Sequence, residues 1–151
     1  METGFLDITF LSDDEIDLRL QKTVEGNAEK EWLPAYHFSI FDKRGNEVGV
    51  CDLRIGHNTK TYYGGNIGYR IYEPFRGHHY AGKACVLLFK LAKMHGMDYL
   101  IITCNPDNYA SKKTCEYVAC RLVETVELPE DNDMRIENGE THKCIYRKDL
   151  K

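Results

Sequence analysis

The sequence lacks several features that would assign a class of protein at once. No apolar stretch among its 151 residues approaches the length of a membrane-spanning helix. The first ten residues have neither the basic nor the apolar region of a signal peptide. Asp and Glu (24) outnumber Lys and Arg (20), so the basic excess of a dedicated nucleic-acid binder is missing. We therefore expect one cytoplasmic domain, residues 1–151, that binds neither membranes nor nucleic acid.

Metal and nucleotide motifs are also missing. The six cysteines form no CxxC pair and several lie in apolar runs, which favours buried free thiols. The only adjacent histidines, His78 and His79, have diverging side chains and no partner at ligand spacing, so we expect no metal site. Neither the GxGxxG fingerprint nor the P-loop sequence occurs, which disfavours the enzymes that use them.

What is present is an alternation of strand-like and helix-like segments. Strands are predicted at 7–11, 35–41, 47–55, 66–72, 98–104, 121–128 and 143–150, with a hairpin turn at 42–46. Helices are predicted at 12–24, where Ile16, Leu20 and Val24 recur every four residues, at 82–96, and within 105–120. Residues 57–65 are predicted as a turn and 129–142 as a polar loop. This order indicates an α/β (α+β) domain with a mixed central sheet flanked by helices.

The segment EPFRGHHYAGKA, residues 73–84, joins a predicted strand to the most apolar helix through small residues. Gly77, Ala81 and Gly82 would let a ligand approach the backbone closely. The amides of a helix's first turn have no partner within the helix, and the positive end of the dipole lies behind them. The segment therefore predicts a site for a phosphate or pyrophosphate.

Residues 65–92, GNIGYRIYEPFRGHHYAGKACVLLFKLA, resemble the cofactor-binding motif of the GNAT superfamily of acyl-CoA-dependent N-acetyltransferases. The family pattern is Arg or Gln, two residues, Gly, one residue, then Gly or Ala. Here it reads Arg76-Gly77-His78-His79-Tyr80-Ala81, with His79 where the family usually has glycine. Residues 105–120 are similar to a downstream segment of the branch resembling the ribosomal-protein-alanine acetyltransferases. Asn108 and Ser111 match its Asn and Ser, and Ala119-Cys120 stand where the family has Gly-Phe.

The resemblance implies a single-domain GNAT-like fold with a splayed pair of strands, 66–72 and 98–104, and acetyl-CoA as co-substrate without a metal. The amides of residues 78–83 would hold the pyrophosphate, and Arg76 and Lys83 would add charge. The pantetheine arm would pair with backbone around Arg70 to Tyr72. The full set of candidate cofactor contacts is Arg70, Ile71, Tyr72, Arg76, Gly77, His78, His79, Tyr80, Ala81, Gly82, Lys83, Asn105, Asn108 and Ser111.

Acetyl transfer to an amine also needs a donor to the leaving thiolate. Many family members have a tyrosine seven residues after the motif Asn, but here that position is Cys115. Ser111 and Cys115 are four residues apart and share a helix face. Either could hydrogen-bond the sulfur, or Cys115 could be a small buried packing residue.

Two further groups complete the chemistry. Backbone amides near Ile71 and Tyr72 are candidate donors to the oxyanion. Glu73 and Glu130 are candidate general bases, and a water relay without a dedicated base is the alternative.

The acceptor implied by the family is a primary amine on a small molecule or at a protein N-terminus. The acidic stretches PEDND and ENGE would suit a cation. Five aromatic residues lie in the regions that usually shape the acceptor pocket of the superfamily: Trp32, Tyr36, Phe38, Tyr62 and Tyr63. The rival hypothesis is a non-catalytic CoA-binding or interaction protein of the same fold, and the family resemblance also allows a homodimer.

Overall fold

The computed structural model describes residues 4–151. In chain order the strands are β1 (Phe10–Ser12), β2 (Ile16–Val24), β3 (Ala35–Asp42), β4 (Glu47–Arg54), β5 (Ile67–Ile71), β6 (Tyr99–Cys104), β7 (Arg121–Glu127) and β8 (His142–Asp149). The helices are α1 (Thr59–Gly64), α2 (Tyr80–Met94), α3 (Tyr109–Tyr117) and α4 (Asp133–Asn138), and a 3-10 turn spans Glu73–Phe75. The predicted α/β class is confirmed.

The strands form two antiparallel sheets. One has the order β1-β2-β3-β4-β5 and the other the order β6-β8-β7. The predicted central sheet is therefore divided between β5 and β6, which are the two strands expected to splay. Within residues 4–151 no strand pairs with the outer edge of β5.

Hydrogen bonds of Asn66 link the two sheets just before β5 begins. Its backbone amide donates to the Ile101 carbonyl over 2.7 Å, and its Oδ1 accepts the Ile101 amide over 2.9 Å. Its Nδ2 donates to the carbonyls of Arg54 and Gly56. The side chain is fully buried, so these bonds replace the water it has lost. Beyond this point β5 and β6 separate.

The apolar face of α2 covers one face of the larger sheet. Ala84, Leu88 and Leu91 are fully buried, and they belong to one core cluster with Ile16 and Phe38 of the sheet. Their spacing of three and four residues places them on a single side of the helix. This packing fixes the start of α2 beside the end of β5.

The helix predicted at 12–24 is wrong, because Ile16–Val24 forms strand β2. Ile16 and Leu20 fit both a helix and a strand, but Leu18 fits only the two-residue period of a strand. Ile16 and Leu18 are fully buried, whereas Arg19 is exposed. Hydrogen bonding to β3 favours the strand over the helix. The pairing register with β3 shifts after Leu20.

Two short helices were missed. The predicted turn at 57–65 contains α1, and the predicted loop at 129–142 contains α4. Each begins at an asparagine whose side chain accepts an amide of the first turn: Asn58 from Thr61 and Asn132 from Met134. The first strand lies at Phe10–Ser12 rather than 7–11. The other predicted strands are confirmed to within two residues, as are the helices at 82–96 and within 105–120.

All six cysteines are free thiols, and all but Cys120 are buried, as predicted. None of the helices described in residues 4–151 combines the length and the apolar character that a membrane-spanning helix needs.

Candidate active site

The segment between β5 and α2 presents a row of unpaired backbone amides. Gly77 has φ +93° and His79 has φ +60°, so the chain turns sharply before the helix begins. The first bond of α2 runs from the Lys83 amide to the His79 carbonyl over 3.0 Å. None of the six amides of residues 77–82 donates to another residue in the part of the chain that is described. They lie at the positive end of a fifteen-residue helix, an arrangement that favours an anion.

His79 holds its left-handed conformation against a ring of α3. Such a conformation costs a non-glycine residue roughly 1–2 kcal/mol. The imidazole stacks on Tyr117 with ring centroids 4.3 Å apart and an angle of 11° between the planes. Tyr117 also occupies the space beside Gly82, where an added Cβ would lie 2.4 Å from Cδ1 of the ring. Gly82 therefore lets α3 close over the start of α2.

The two cations predicted to add charge both have protein partners. Arg76 Nε donates to the Ile71 carbonyl over 3.1 Å. Lys83 Nζ lies 2.9 Å from a carboxylate oxygen of Glu15, an ion pair that raises the pKa of the lysine. A phosphate at this segment would compete with Glu15 for the Lys83 ammonium.

Along β5, alternate residues direct their backbone N–H and C=O groups either to β4 or to the free edge. The Tyr72 amide donates to Val48 of β4, and the Asn66 carbonyl accepts the Arg54 amide. Because the hydrogen-bonding groups of a strand alternate in direction, the amides of Tyr69 and Ile71 face the open edge. Of the two amides expected to serve the oxyanion, that of Ile71 faces the open edge and that of Tyr72 is already bonded to β4.

Tyr69 is not among the residues selected from the sequence, yet its hydroxyl is buried close to α3. The oxygen of its hydroxyl is shielded from solvent and makes no well-formed hydrogen bond within residues 4–151, although the hydroxyls of Ser111 and Thr114 lie close to it. Burial raises the pKa of the phenol, and the hydroxyls of Ser111 and Thr114 are near enough to offset part of that rise. The family resemblance points to a tyrosine on α3 itself, whereas Tyr69 approaches α3 from β5.

The α3 candidates lie on the same side of the sheet. Asn108 caps α3 by accepting the Ser111 amide over 3.1 Å. Cys115 is fully buried, and the neighbouring Cys120 thiol, together with burial, raises the pKa of its thiol. The Cys115 thiol is therefore protonated at neutral pH. Asn105 is held by Lys143 and Glu140 near the start of β8.

Asp52 and His37 lie on the opposite face of the sheet and were also missed. The Asp52 carboxylate accepts the Gly68 amide over 3.2 Å and pairs with Arg54 over 3.0 Å. A Cβ at Gly68 would lie 3.1 Å from both carboxylate oxygens, so glycine allows Asp52 to rest against β5. His37 is the neighbour of Asp52 across β3 and β4. Isolated polar residues on a strand give no sequence signal, because their meaning depends on the register.

Two cavities open on this face, and His37 lines both. The smaller, about 380 Å³, is also lined by Asp52, Gly68 and Arg70. The larger, about 510 Å³, lies between the 25–34 loop, α1 and the start of α4. Neither Glu73 nor Glu130, the carboxylates selected from the sequence, is among the lining residues, and both are exposed.

Of the aromatic residues expected around an acceptor, Trp32 and Tyr63 line the larger cavity. Tyr36 is instead fully buried and hydrogen-bonded to His95, and Tyr62 donates to Glu124 of β7. Three acidic residues also line the larger cavity: Glu31, Asp131 and Asp133. Within residues 4–151 there is no group of three His, Cys, Asp or Glu residues that could hold a metal ion.

Comparison of the sequence with models of known protein families gives a match over most of the chain. A family model described as "Acetyltransferase (GNAT) domain" matches residues 7–120. No protein of curated function matches the chain.

Several solved structures share the fold. The microcin C7 self-immunity acetyltransferase MccE, in complex with acetyl-CoA and AMP, has 24% identity and a TM-score of 0.60; the match covers 76% of this chain and 61% of that one. A Salmonella typhimurium acetyltransferase that modifies the N-terminal serine of ribosomal protein L7/L12 has 21% identity and a TM-score of 0.59, covering 78% and 64%. A GNAT-family acetyltransferase of Bacillus anthracis has 15% identity and a TM-score of 0.69, covering 93% and 98%.

Proposed function

Because this chain belongs to the GNAT family of acetyltransferases, we propose that it transfers an acetyl group from acetyl-CoA directly to a primary amine. The observation that carries the proposal is the row of unpaired amides at residues 77–82, which follows the open-edged strand β5. An anion site and a free strand edge in succession suit the pyrophosphate and the amide-bearing arm of one ligand.

The residues present fit acetyl-CoA. The amides of residues 77–82 would hold the pyrophosphate, with His78, Tyr80 and Ala81 around it, and Arg76 beside the loop. The backbone groups of Tyr69 at the free edge would pair with the pantetheine arm as an added strand does. Asn108 and Ser111 would contact the arm from α3. Bound acetyl-CoA supplies an activated acyl carbon and a thiolate leaving group.

The Ile71 amide is the proposed donor to the oxyanion, because it faces the free edge and the Tyr72 amide does not. We place the amine on the opposite face, beside Asp52 and His37. The carboxylate would hold the ammonium, and the imidazole, the side chain best matched to proton transfer near neutral pH, would take its proton. Glu73 and Glu130 are less suitable because neither lines a cavity on this face.

The acceptor would enter through the larger cavity. His37 connects this cavity to the smaller one beside Gly68. Lys60 lies 3.4 Å from Asp133, whereas Glu31 and Asp131 have no ion-pair partner within the described residues. Unpaired carboxylates beside Trp32 and Tyr63 favour a cationic amine, either a small molecule or the N-terminus of a protein.

The test is turnover over a panel of amines. Release of CoA from acetyl-CoA would be followed with polyamines, amino acids, aminoglycosides and short peptides, and mass spectrometry would locate the acetyl group on nitrogen. We expect an amide product with at least one class. Tight binding of acetyl-CoA without turnover on any amine would instead favour the non-catalytic alternative.

A further inference from the structure

We infer that the Tyr69 hydroxyl is the group that donates a proton to the departing sulfur of CoA. This inference rests on the proposed function. The observation behind it is a buried hydroxyl that makes no well-formed hydrogen bond in the part of the chain that is described, with only the hydroxyls of Ser111 and Thr114 close by. Buried hydroxyls are nearly always hydrogen-bonded, so such an exception calls for a partner that the free protein lacks.

The position of the hydroxyl fits that partner. Tyr69 belongs to β5, and its own backbone groups face the open edge. Its side chain approaches α3 near Ser111 and Thr114, and its oxygen is close enough to Cys115 for the two groups to influence each other's charge. Cys115 is the α3 residue at which the family resemblance leads one to expect a tyrosine. A phenol therefore reaches the same part of α3 from a neighbouring strand.

Tyr69 and Asp52 lie on opposite faces of the sheet. Tyr69 pairs with Cys51 and Gly68 pairs with Asp52, so the two side chains leave successive rungs of the ladder in opposite directions. The amine would thus lose its proton on one face, and the thiolate would gain a proton on the other.

The proposed step balances as follows. The nitrogen of the neutral amine forms a bond to the acetyl carbon, and the bond from that carbon to sulfur breaks with its electron pair on sulfur. Tyr69 gives its proton to the sulfur. The surplus proton leaves the acylated nitrogen on the amine's own face, through His37 to solvent, and a proton from solvent restores the phenol through the neighbouring Ser111 hydroxyl. The products are the amide and the free thiol of CoA. The phenol is protonated at neutral pH, and burial, which raises its pKa, keeps it in that form.

Tyr69→Phe tests the inference, with Tyr146→Phe as the matched control. Tyr146 of β8 is buried and also lies close to Cys115, but its strand does not border the open edge of β5. We expect Tyr69→Phe to lower turnover by roughly tenfold to a hundredfold and Tyr146→Phe to change it less than twofold. Acetyl-CoA affinity, measured by calorimetry, should be the same in all three proteins.

Two readouts do not depend on turnover. Since Phe removes an unsatisfied buried hydroxyl, the melting temperature of free Tyr69→Phe should equal or exceed that of the parent by up to roughly 4 °C. The parent should bind CoA about threefold to tenfold more tightly than desulfo-CoA, and Tyr69→Phe should lose that preference.

Unchanged turnover in Tyr69→Phe, or an intact preference for CoA over desulfo-CoA, would overturn the inference. So would a marked fall in melting temperature, because it would mean that the hydroxyl has a stabilising partner in the free protein. These results leave the proposed function standing, provided that the parent binds and turns over acetyl-CoA. If the parent does neither, both proposals fail together.

Discussion

The imidazole of His79 lies flat against the ring of Tyr117, 4.3 Å away between centroids, and so joins the first residue before α2 to the last residue of α3. His79 has φ +60°, and so does Ala119 just after α3. Both positions are ones at which the family pattern has glycine. In this chain both positions therefore have a left-handed backbone without glycine, and at His79 the aromatic stack offsets part of the cost.

This relationship predicts an inverted order of stability at position 79. His79→Gly loses the stack but relieves the backbone, whereas His79→Ala loses the stack and keeps the strain. We expect the free energy of unfolding of the glycine variant to exceed that of the alanine variant by about 1 kcal/mol. Urea titration measures the difference.

The control pair is Lys90→Gly and Lys90→Ala, at an exposed position within α2. Here the ordinary order should hold, with the alanine variant more stable by roughly 1 kcal/mol. The same order at both positions would contradict the role given to the left-handed backbone.

Ser111 and Cys115 should respond differently to loss of their polar atoms. Ser111→Ala removes a hydroxyl beside Tyr69 and should lower turnover by roughly tenfold, the worth of about one transition-state hydrogen bond. Cys115→Ala empties a fully buried position and should instead lower the free energy of unfolding by about 1 kcal/mol. Steady-state kinetics and urea titration of both variants separate the two effects.

If Cys115→Ala abolished turnover at unchanged stability while Ser111→Ala had no effect, the two roles would have to be exchanged. A search for acetylated Cys115 by mass spectrometry would then show whether the thiol acts as an acid or as a nucleophile.

Asp52 and His37 should matter for turnover and not for acetyl-CoA binding. Asp52→Asn and His37→Gln each remove a group placed at the amine, and we expect turnover to fall by about a hundredfold in each variant. Gly68→Ala should act in the same direction, because the new Cβ would lie 3.1 Å from both carboxylate oxygens. Asp98→Asn is the control, since Asp98 is half exposed and pairs with Lys151. If Asp52→Asn and His37→Gln both turned over like the parent, the general base would instead be Glu73, Glu130 or water.

The sequence predicted the parts of the fold whose signals are local. The hairpin at 42–46, the buried helix and the apolar strand at 98–104 each carry their own pattern. The prediction of a helix at 12–24 was wrong. The four-residue spacing of Ile16 and Leu20 fits a helix, but the segment forms a strand because it pairs with β3. The segment 77–82 could be singled out as a candidate phosphate site because its residues lie in one short stretch of sequence. Asp52, His37 and Tyr69 could not be singled out in this way. Asp52 and His37 become neighbours only through the strand register, and Tyr69 reaches α3 only through packing.

Calorimetric titration with acetyl-CoA tests the central claim most directly, which is that the amides of residues 77–82 hold its pyrophosphate. The parent should bind acetyl-CoA and CoA far more tightly than NAD or ATP. Ala81→Glu places a carboxylate at the start of α2 and should abolish binding while the melting temperature stays near that of the parent. Val86→Glu adds the same charge at an exposed position of the same helix and should bind like the parent. Equal affinity in Ala81→Glu and the parent would show that the phosphates are held elsewhere and would contradict the account.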